Sequence, residues 1–517
     1  MTSDSPYFEK PVEGLKRKVT RGAAWTSGLY LVSKTGELVF TAILARLLAP
    51  TEFGVVAAAM VFIQFAKLFV EIGIGATLVQ LPELTRKHVR TAGTLVALNA
   101  ILFFIVAQIA APLIAGLFAI AHVEGVVRVL AFIFLLQAIG VVPENLLVRR
   151  LQAPRVMGVE IAAKLIGFGG IGALCAFNGL SYWSLAFGAL AETSIKAITL
   201  SILVRPPIAP MLHAPSMRQL LSKGTGFSLS RVLNFAALYG DKVIAGRFLG
   251  AAGLGLYGRA YHLMSVPADV YGRVAERLMF PALAACQHNE ARLRHAFLSA
   301  ASLTATIGLP LSAVLVLLAP EIVSFLLGSQ WAAVIPPFMV LAVASYFRLG
   351  AKTSGSLLRA TGSVRSLVLI QAVYAAMVIG GGVIAVQYGI IALGAVMSVS
   401  AGIFYVLITA LACARTKTRA GAMIGVHRYG LMLTAIIAAP LAGLVYILRA
   451  GDVPDFVILG AAGALLVAVA SVLVATSPVW LLGKATAGIA VAIRRSVTRA
   501  IRAKFGAPAA EIGGGAS

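Results

Sequence analysis

Long apolar stretches alternate along the chain with short polar segments, and each stretch is long enough to cross a lipid bilayer as a helix. A transmembrane helix needs about 20 mostly apolar residues, and it must be helical because only internal hydrogen bonds can satisfy its backbone in hydrocarbon. The pattern predicts an all-α, polytopic membrane protein with about 14 transmembrane helices, although the last two hairpins also permit a 12-helix interpretation. The predicted spans are 22–48, 53–80, 91–118, 125–148, 156–178, 181–204, 220–249, 253–284, 296–318, 331–358, 366–386, 390–413, 429–448 and 456–476.

The composition and the placement of charge agree with a membrane protein. Hydrophobic residues make up 60% of the chain and charged residues 12%, a proportion that excludes a soluble globular protein. Of the Lys and Arg residues in the loops and tails, 28 fall on one side of the predicted membrane and only Arg46, Arg247 and Arg449 on the other. By the positive-inside rule, both termini and the basic loops are predicted to be cytoplasmic. The net charge of +24 therefore reflects orientation and attraction to anionic membrane lipids, and it indicates no nucleic-acid partner.

The first twelve predicted spans divide into two halves with related sequences. Arg46–Gly54 reads RLLAPTEFG and Arg247–Gly255 reads RFLGAAGLG, each at the outer end of the first span of its half. A second echo precedes the fifth span of each half, as RLQAPR at Arg150–Arg155 and RATGSVR at Arg359–Arg365. This pattern predicts two six-helix lobes, related as a parallel pseudo-repeat about an axis normal to the membrane, plus two extra helices.

The chain also changes character at its two ends. After residue 480, apolar residues recur every four positions while basic residues occupy the other faces, as in a helix that lies on the membrane surface. The predicted segments are a cytoplasmic N-terminal tail (1–21), an N-lobe (22–204), a cytoplasmic inter-lobe linker (205–219), a C-lobe (220–413), two further spans (414–476), an amphipathic basic cytoplasmic helix (480–506) and a disordered tail (507–517).

Motifs for catalysis, nucleotide hydrolysis and metal binding are missing from the sequence. It contains no GxxxxGK[ST], no GxSxG and no HExxH. The three cysteines Cys175, Cys286 and Cys413 are odd in number, far apart and surrounded by apolar residues, which indicates packing rather than disulfides or metal binding. We therefore predict a transporter that is not an enzyme and needs no metal or other cofactor.

Ionisable residues inside the predicted spans of the first half come in pairs at helical spacing. A spacing of three or four residues puts both members on one face of a helix, where they can neutralise each other. Structural ion pairs and the lining of a polar crevice are both consistent with this pattern. The pairs are Lys34 with Glu37, Lys67 with Glu71, Glu160 with Lys164, and Glu192 with Lys196.

Basic residues are in excess inside the spans of the second half. Arg231, Arg259 and Arg348 have no acidic residue three or four positions away. Cations without a partner on their own helix predict a hydrated cavity that accepts an anion, and an Arg fork can grip phosphate oxygens bidentately. Residues near the inner end of the eighth span can instead extend toward lipid headgroups. The whole set is Arg231, Lys242, Arg259, Arg273, Arg277, Arg348 and Lys352, against Asp241, Asp269 and Glu276.

Three segments resemble a known family. They are RLLAPTEFG at Arg46–Gly54, FVEIGIGATLVQ at Phe69–Gln80 and RRLQAPR at Arg149–Arg155. These segments are similar to bacterial lipid-linked oligosaccharide flippases, the polysaccharide transporter branch of the multidrug/oligosaccharidyl-lipid/polysaccharide exporter superfamily. The resemblance extends over roughly residues 15–480.

The resemblance implies two lobes around a V-shaped central cavity in the bacterial inner membrane. It further implies alternating access, which moves an undecaprenyl-diphosphate-linked sugar repeat unit from the cytoplasmic to the periplasmic leaflet. The product would be a cell-surface polysaccharide such as O-antigen, exopolysaccharide or capsule. Membrane lipids and a glycan polymerase or other assembly proteins are the partners that this implies.

The candidate site combines the resemblance with the charge pattern. The resemblance implies that cations of spans 1, 2, 7 and 8 line the cavity, and the charge pattern adds two residues of span 10. The substrate-binding candidates are Lys34, Lys67, Arg231, Lys242, Arg259, Arg348 and Lys352. The candidates for ion coupling are Glu37, Glu71 and Asp241.

Other functions fit the sequence less well. A drug or cation exporter of the same superfamily would need an acidic cavity, whereas the second half is basic. A membrane glycosyltransferase or polymerase would need a sizeable extracytoplasmic loop, which the predicted spans do not leave. A non-transporting scaffold of a glycan assembly complex would gain nothing from costly charges inside the membrane.

Overall fold

The computed structural model describes residues 15–70, 73–207, 209–222, 228–476 and 491. In this part of the chain the regular elements are all helices, and twelve of the helical stretches are long and apolar enough to cross a membrane. The predicted all-α, polytopic architecture is confirmed. The predicted surface helix at 480–506 and the tail at 507–517 lie outside the described residues, apart from position 491.

Helices of the first half follow the predicted spans, with several interruptions. They are α1 (Leu15–Leu47), α2 (Pro50–Val70), α3 (Ile74–Gln80), α4 (Arg86–Phe118), α5 (Val123–Leu130), α6 (Phe132–Arg149), α7 (Ala153–Ala163), α8 (Gly172–Phe177) and α9 (Trp183–Val204). The predicted span 53–80 is therefore two helices, because Gly73 adopts a left-handed φ of 70° ahead of α3. A π-helical segment, Lys164–Ile171, joins α7 and α8 into one span.

The linker and the second half contain the remaining helices. They are α10 (Ala214–Ser222), α11 (Ser228–Ala285), α12 (Glu290–Leu317), α13 (Ala319–Leu327), α14 (Ile335–Val343), α15 (Ser345–Ala360), α16 (Val364–Ala385), α17 (Ile390–Thr416), α18 (Ala420–Ala450) and α19 (Asp455–Thr476). Short 3₁₀ helices at Ser329–Val334 and Val386–Tyr388 lead into α14 and follow α16.

The 58 residues of α11 contain the predicted spans 7 and 8. At about 1.5 Å per residue, a continuous helix of this length would be far longer than the roughly 30 Å hydrocarbon core. Gly250 breaks it with φ 68° and ψ −168°, a conformation that glycine adopts without a Cβ penalty. Charged residues such as Asp241, Lys242 and Arg259 distinguish α11 from the twelve more apolar stretches.

Loops that the charge pattern predicts to be cytoplasmic lie on one face of the bundle, called the inner face below. Arg90 from the start of α4 contacts Ala209 of the linker there, and Arg294 of α12 donates to the carbonyl of Thr416. On the opposite, outer face, the Arg46 guanidinium donates to the Phe325 carbonyl. The helices therefore alternate in direction as the hydrophobic pattern predicts.

Apolar packing joins the two halves mainly in the outer half of the bundle. One buried cluster contains Ile63 and Phe134 from the first half together with Tyr257, Trp331 and Phe338 from the second. Toward the inner face, each half has its own cluster. This arrangement leaves polar side chains to meet where the halves face each other near the inner side.

Arg149, which the sequence analysis counts among the basic residues of the inner loops, has a buried side chain. Its side chain is only 3% exposed. The guanidinium donates to the carbonyls of Leu78 at 3.0 Å, Leu81 at 2.6 Å and Pro82 at 3.0 Å, so it caps the end of α3. This cation supports local structure as well as contributing to the inner-face charge.

The two helices beyond the repeat pack on the second half. Helix α18 lies against α12, and α19 lies against α13 and α18. Arg449 at the end of α18 pairs bidentately with the buried Glu321 of α13, at 2.7 and 2.9 Å. Exposed apolar residues such as Ile424, Ile447 and Val467 cover their other faces, as expected for accessory helices that face lipid.

Candidate functional site

The two segments of the sequence repeat contact each other at the outer face. Gly54 lies against the backbone carbonyl of Ala251, and Gly255 lies against the backbone carbonyl of Pro50. Neither glycine has room for a Cβ atom. The repeat is therefore a contact surface between the halves, and small residues allow its backbones to approach closely.

A polar pocket of about 360 Å³ lies between the halves on the inner side of this contact. Four cationic side chains and one carboxylate line it. Its residues are Tyr30 and Lys34 of α1, Asp269, Gly272 and Arg273 of α11, and Lys352, Ser356 and Arg359 of α15. The excess of positive charge makes this pocket, called the cationic pocket below, a site suited to an anion.

The polar side chains of the cationic pocket also contact one another. The Lys352 Nζ lies 3.1 Å from the Asp269 carboxylate, and the Arg273 guanidinium lies 4.1 Å from the centre of the Tyr30 ring. Arg359 donates to the Ser356 hydroxyl at 3.2 Å. The Arg273–Tyr30 contact joins the two halves across the pocket, so an occupant would meet both halves at once.

Glu37 joins α1 to two other elements next to the pocket. Its carboxylate accepts from Lys34 at 3.0 Å and from Lys164 at 3.0 Å, and the Nε2 of His262 lies 3.7 Å away. The Glu37 side chain is 15% exposed. The predicted Lys34–Glu37 pair is confirmed, and Lys164 bonds to Glu37 of another span where Glu160 of its own helix was expected.

Lys196 also pairs with other helices, contrary to the expected intrahelical pair with Glu192. Its Nζ lies 3.1 Å from Glu144 of α6 and 3.9 Å from Glu160 of α7. Sequence spacing finds only partners on the same helix, and these acids come from helices that pack beside α9. In the described first half, Lys164 and Lys196 therefore connect helices through their ion pairs.

Three basic candidates of the second half lie against aromatic rings. The Lys242 Nζ is 4.3 Å from the centre of the Tyr261 ring, and Arg348 donates to the Tyr261 hydroxyl at 2.7 Å. The Arg259 guanidinium lies 4.5 Å from the centre of the Phe53 ring of α2. These contacts are cation–π interactions and a hydrogen bond to an uncharged acceptor, which hold the positive charge in place without cancelling it.

Arg259 has one further property. Its Nε is buried and has no hydrogen-bond partner among the described residues. A buried donor of this kind is costly to leave without a partner.

Of the two coupling candidates that the structure describes, Asp241 is the more buried, at 2% exposure. Its Oδ2 accepts from the Tyr257 hydroxyl at 2.7 Å, and its Oδ1 accepts from the backbone N–H of Lys242 at 2.8 Å. The neighbouring Lys242 Nζ donates instead to the Leu238 carbonyl at 3.3 Å. Asp241 is thus held by uncharged donors.

The remaining site candidates are Lys67, Glu71 and Arg231. Lys67 is half-buried on α2. Glu71 and the side chain of Arg231 lie outside the described residues, as do the side chains of Glu276 and Arg277. Their predicted roles stay predictions.

Sequence reasoning missed five side chains of the cationic pocket, Tyr30, Asp269, Arg273, Ser356 and Arg359. Arg273 lies near the inner end of a predicted span, where it can also reach lipid headgroups, and Arg359 lies in a predicted inner loop. A signal was present, because polar residues recur at helical spacing on one face of α15, at Lys352, Ser356 and Arg359. The same spacing places Tyr30, Lys34 and Glu37 on one face of α1.

Comparison with known proteins identifies relatives of this chain. Residues 43–336 match the profile of a family described as "Polysaccharide biosynthesis protein". The chain is 27% identical over 350 residues to the teichuronic acid biosynthesis protein TuaB of Bacillus subtilis, covering 67% of this chain and 72% of TuaB. It is 28% identical over 337 residues to the succinoglycan biosynthesis transport protein ExoT of Rhizobium meliloti, covering 63% and 66% of the two chains.

A third relative and two solved structures extend the comparison. The lipopolysaccharide biosynthesis protein WzxC of Escherichia coli is 24% identical over 360 residues, covering 68% of this chain and 71% of WzxC. The fold is similar to that of the lipid II flippase MurJ in an inward closed conformation, with a TM-score of 0.67, 13% identity, and coverage of 92% of this chain and 99% of MurJ.

The second structure is an inward-facing multidrug resistance MATE family transporter of the MOP superfamily. It has a TM-score of 0.52 and 17% identity, and covers 77% of this chain and 94% of the transporter. At these identities the two structures establish the fold alone. The family match spans more than half of the chain, and the curated relatives are named for the biosynthesis of teichuronic acid, lipopolysaccharide and succinoglycan. The chain belongs to the polysaccharide biosynthesis protein family, and its helical, multi-pass fold is that of the MurJ and MATE structures.

Proposed function

We propose that this protein is a flippase for a polyprenyl-diphosphate-linked oligosaccharide, with undecaprenyl diphosphate as the carrier. It moves the glycan from the cytoplasmic to the periplasmic leaflet of the bacterial inner membrane for the synthesis of a surface polysaccharide. The observation that carries this proposal is the cationic pocket between the two halves. The names of the relatives, which refer to the biosynthesis of teichuronic acid and lipopolysaccharide and to succinoglycan biosynthesis transport, support a glycan as the cargo.

The chemistry of the pocket fits a diphosphate. Lys34, Arg273, Lys352 and Arg359 supply charged donors from three helices of both halves. An arginine fork binds two phosphate oxygens at once, and hydrogen bonds between charged groups are stronger than neutral ones. A diphosphate carries more negative charge than Asp269 and would compete with it for Lys352. The prenyl chain can stay in the lipid while the polar head is held between the halves.

The packing supports an inner-side loading state in an alternating-access cycle. Apolar contacts and the Gly54 and Gly255 contacts close the outer side, whereas the pocket lies toward the inner side. Release to the periplasm would then require the outer contact to separate. The membrane potential favours outward movement of a negative head by about 2.3 kcal/mol per net charge for each 100 mV.

Glu37 and Asp241 differ as candidates for coupling to an ion gradient. Protonation of Glu37 would break ion pairs with Lys34 and Lys164, which opposes it. Asp241 is buried, and in the described contacts it accepts hydrogen bonds only from uncharged donors. We therefore favour Asp241 as the coupling residue.

The proposal is tested by removing pocket charge. The Arg273→Gln/Lys352→Gln double variant is compared with Arg415→Gln, which removes one charge from an exposed position on the same face. Binding of farnesyl diphosphate to the purified protein is measured by calorimetry, and transport of a fluorescent prenyl-diphosphate-linked disaccharide is measured in proteoliposomes. We expect the double variant to bind about tenfold or more weakly, since each hydrogen bond between charged groups contributes about 1.5–3 kcal/mol.

Two outcomes would reject the flippase proposal. One is unchanged binding and transport in the double variant. The other is transport of a cationic dye such as ethidium, which the double variant enhances by removing repulsion. That second result would favour the drug-exporter alternative, because a positive pocket discriminates against cations.

A further inference from the structure

A second, larger cavity lies within the first half, separate from the cationic pocket. It is a groove of about 860 Å³ between α4, α6 and α9, and it has no helix in common with the pocket between the halves. Its walls are apolar and include Leu98, Ile101, Leu135, Ile139, Ile198 and Ile202. Most of these side chains are about half exposed, so the groove opens sideways toward the bilayer.

The inner end of this groove has a different chemistry. Arg90 and Arg205 line it together with prolines 206, 207 and 210 of the inter-lobe linker. Arg205 closes α9 in a left-handed conformation with φ 47°, and its exposed side chain has no bonding partner within the described part of the chain. The groove is therefore apolar along the membrane depth and cationic at one end.

The linker is held in place around this cationic end. The Arg90 Nε donates to the Ala209 carbonyl at 2.8 Å, and the backbone N–H of Met211 donates to the Thr94 hydroxyl at 2.9 Å. The backbone N–H of His213 donates to the Thr91 hydroxyl at 3.3 Å. Since the linker wall is built by specific contacts with α4, the end of the groove is a formed site.

We propose that this groove binds one anionic glycerophospholipid of the inner-face leaflet, with its acyl chains along α4, α6 and α9 and its phosphate at Arg90 and Arg205. The charge complementarity selects an anionic headgroup, and the apolar walls select a ligand with long hydrocarbon chains. The volume is within the range of about 300–1,000 Å³ for small-molecule sites. A bound lipid would connect the linker to the first half, because its head touches the linker and its tails touch the helices.

The proposal distinguishes this lipid from two other phosphate compounds. Inorganic phosphate has nothing to place against the apolar walls. The prenyl-diphosphate carrier has its own proposed site in the cationic pocket, on different helices. A phospholipid uses both ends of this groove, and its binding does not depend on the proposed flippase activity.

The test uses the full-length protein in detergent micelles with four variants. Arg205→Gln removes the exposed cation, and Ala97→Phe fills the groove from an exposed position on α4. The matched controls are Arg86→Gln, an exposed arginine one turn before Arg90, and Leu102→Phe, which lies on α4 beyond the groove lining. Native mass spectrometry measures binding of phosphatidylglycerol, with phosphatidylcholine, inorganic phosphate and farnesyl diphosphate as comparison ligands.

We expect the wild type and both controls to bind phosphatidylglycerol preferentially over phosphatidylcholine. We expect Arg205→Gln and Ala97→Phe to bind it about fivefold to tenfold more weakly, by the loss of one charged contact or of acyl-chain space. Thermal unfolding without added lipid tests that each variant is folded, and Arg205→Gln should be as stable as Arg86→Gln because its side chain is exposed.

Equal binding by all four variants would overturn the proposal. So would competition by inorganic phosphate at equal concentration, which would indicate a site for free anions. Displacement of phosphatidylglycerol by farnesyl diphosphate in the wild type but not in Arg205→Gln would assign the groove to the carrier and would also overturn it. The first two results leave the flippase proposal standing, because they do not concern the carrier, whereas the third would move the carrier's site from the cationic pocket to this groove.

Discussion

Gly54 and Gly255 occupy equivalent positions in the two halves, and each lies against the backbone of the other half. Gly54 faces the carbonyl of Ala251, and Gly255 faces the carbonyl of Pro50. Pro50 and Ala251 are themselves equivalent in the sequence repeat. The two contacts are therefore related by the pseudo-two-fold axis, as in an isologous interface between subunits. Because its two contacts are equivalent, such an interface can open as a unit. The Gly54 and Gly255 contacts are therefore suited to form a gate at the outer face.

A methyl group at Gly255 should weaken this gate. The Gly255→Ala Cβ would collide with the Pro50 carbonyl, and overpacking of this kind costs about 1–3 kcal/mol. A cost of that size shifts a two-state equilibrium toward separated outer ends by about tenfold. The measurement is the distance between spin labels at positions 51 and 252, the exposed neighbours of Pro50 and Ala251, in a cysteine-free background.

Gly258→Ala provides the matched control on the same helix. Nothing lies within 4 Å of a Cβ at Gly258, so the outer distance should stay that of the wild type. An outer distance that is the same in Gly255→Ala and Gly258→Ala would mean that the glycine contact does not hold the gate closed.

The sequence was sufficient to predict the features that depend on local pattern. Span length, charge asymmetry and the repeat at Arg46–Gly54 and Arg247–Gly255 follow from residues close together in the chain. The contact between the two repeat segments could not be predicted from the sequence. A repeat shows that two segments are equivalent, but it does not show that they lie close together in space. The break at Gly250 also depends on context, since most glycines in spans serve close packing instead.

The sequence predicted only part of the candidate site, because the site depends on contacts between residues that are far apart in the chain. Lys34 and Lys352 were selected as buried charges, and both line the cationic pocket. Arg273 and Arg359 lie near the predicted helix ends, where a basic side chain also serves membrane orientation, so the sequence could not separate the two roles. The partners of Lys164 and Lys196 come from other helices, and helix spacing carries no information about them.

Removal of the Glu37 carboxylate should destabilise the first half. Glu37→Gln leaves Lys34 and Lys164 without their shared acid, and because these ion pairs are partly buried we expect a cost of about 1–3 kcal/mol, between that of exposed and of fully buried pairs. The control is Glu124→Gln, whose pair with Arg128 is exposed and contributes about 0.2–1 kcal/mol. Thermal unfolding of the purified proteins measures both effects.

A second substitution identifies the cause of the Glu37 effect. Lys164→Met in the Glu37→Gln background removes one of the two cations that have lost this acid, so it should recover part of the lost stability. If the midpoint of Glu37→Gln falls no further than that of Glu124→Gln, the Glu37 ion pairs do not stabilise this part of the fold.

Asp241 provides a test of ion coupling that is separate from substrate binding. Asp241→Asn keeps the size of the side chain and can still accept a hydrogen bond from the Tyr257 hydroxyl, but it cannot change its charge. If Asp241 carries the coupled proton, an imposed proton gradient should accelerate transport by the wild type and have no effect on the variant. Affinity for farnesyl diphosphate should be unchanged, because Asp241 does not line the cationic pocket.

The appropriate control for this experiment is Asp452→Asn, an exposed carboxylate in the loop between α18 and α19. It should respond to the gradient as the wild type does. Tyr257→Phe adds a further test, because it removes the hydroxyl that donates to Asp241 and leaves the carboxylate in place, so transport should keep its gradient dependence. A full gradient response in Asp241→Asn would exclude this residue and return the role to Glu37 or Glu71.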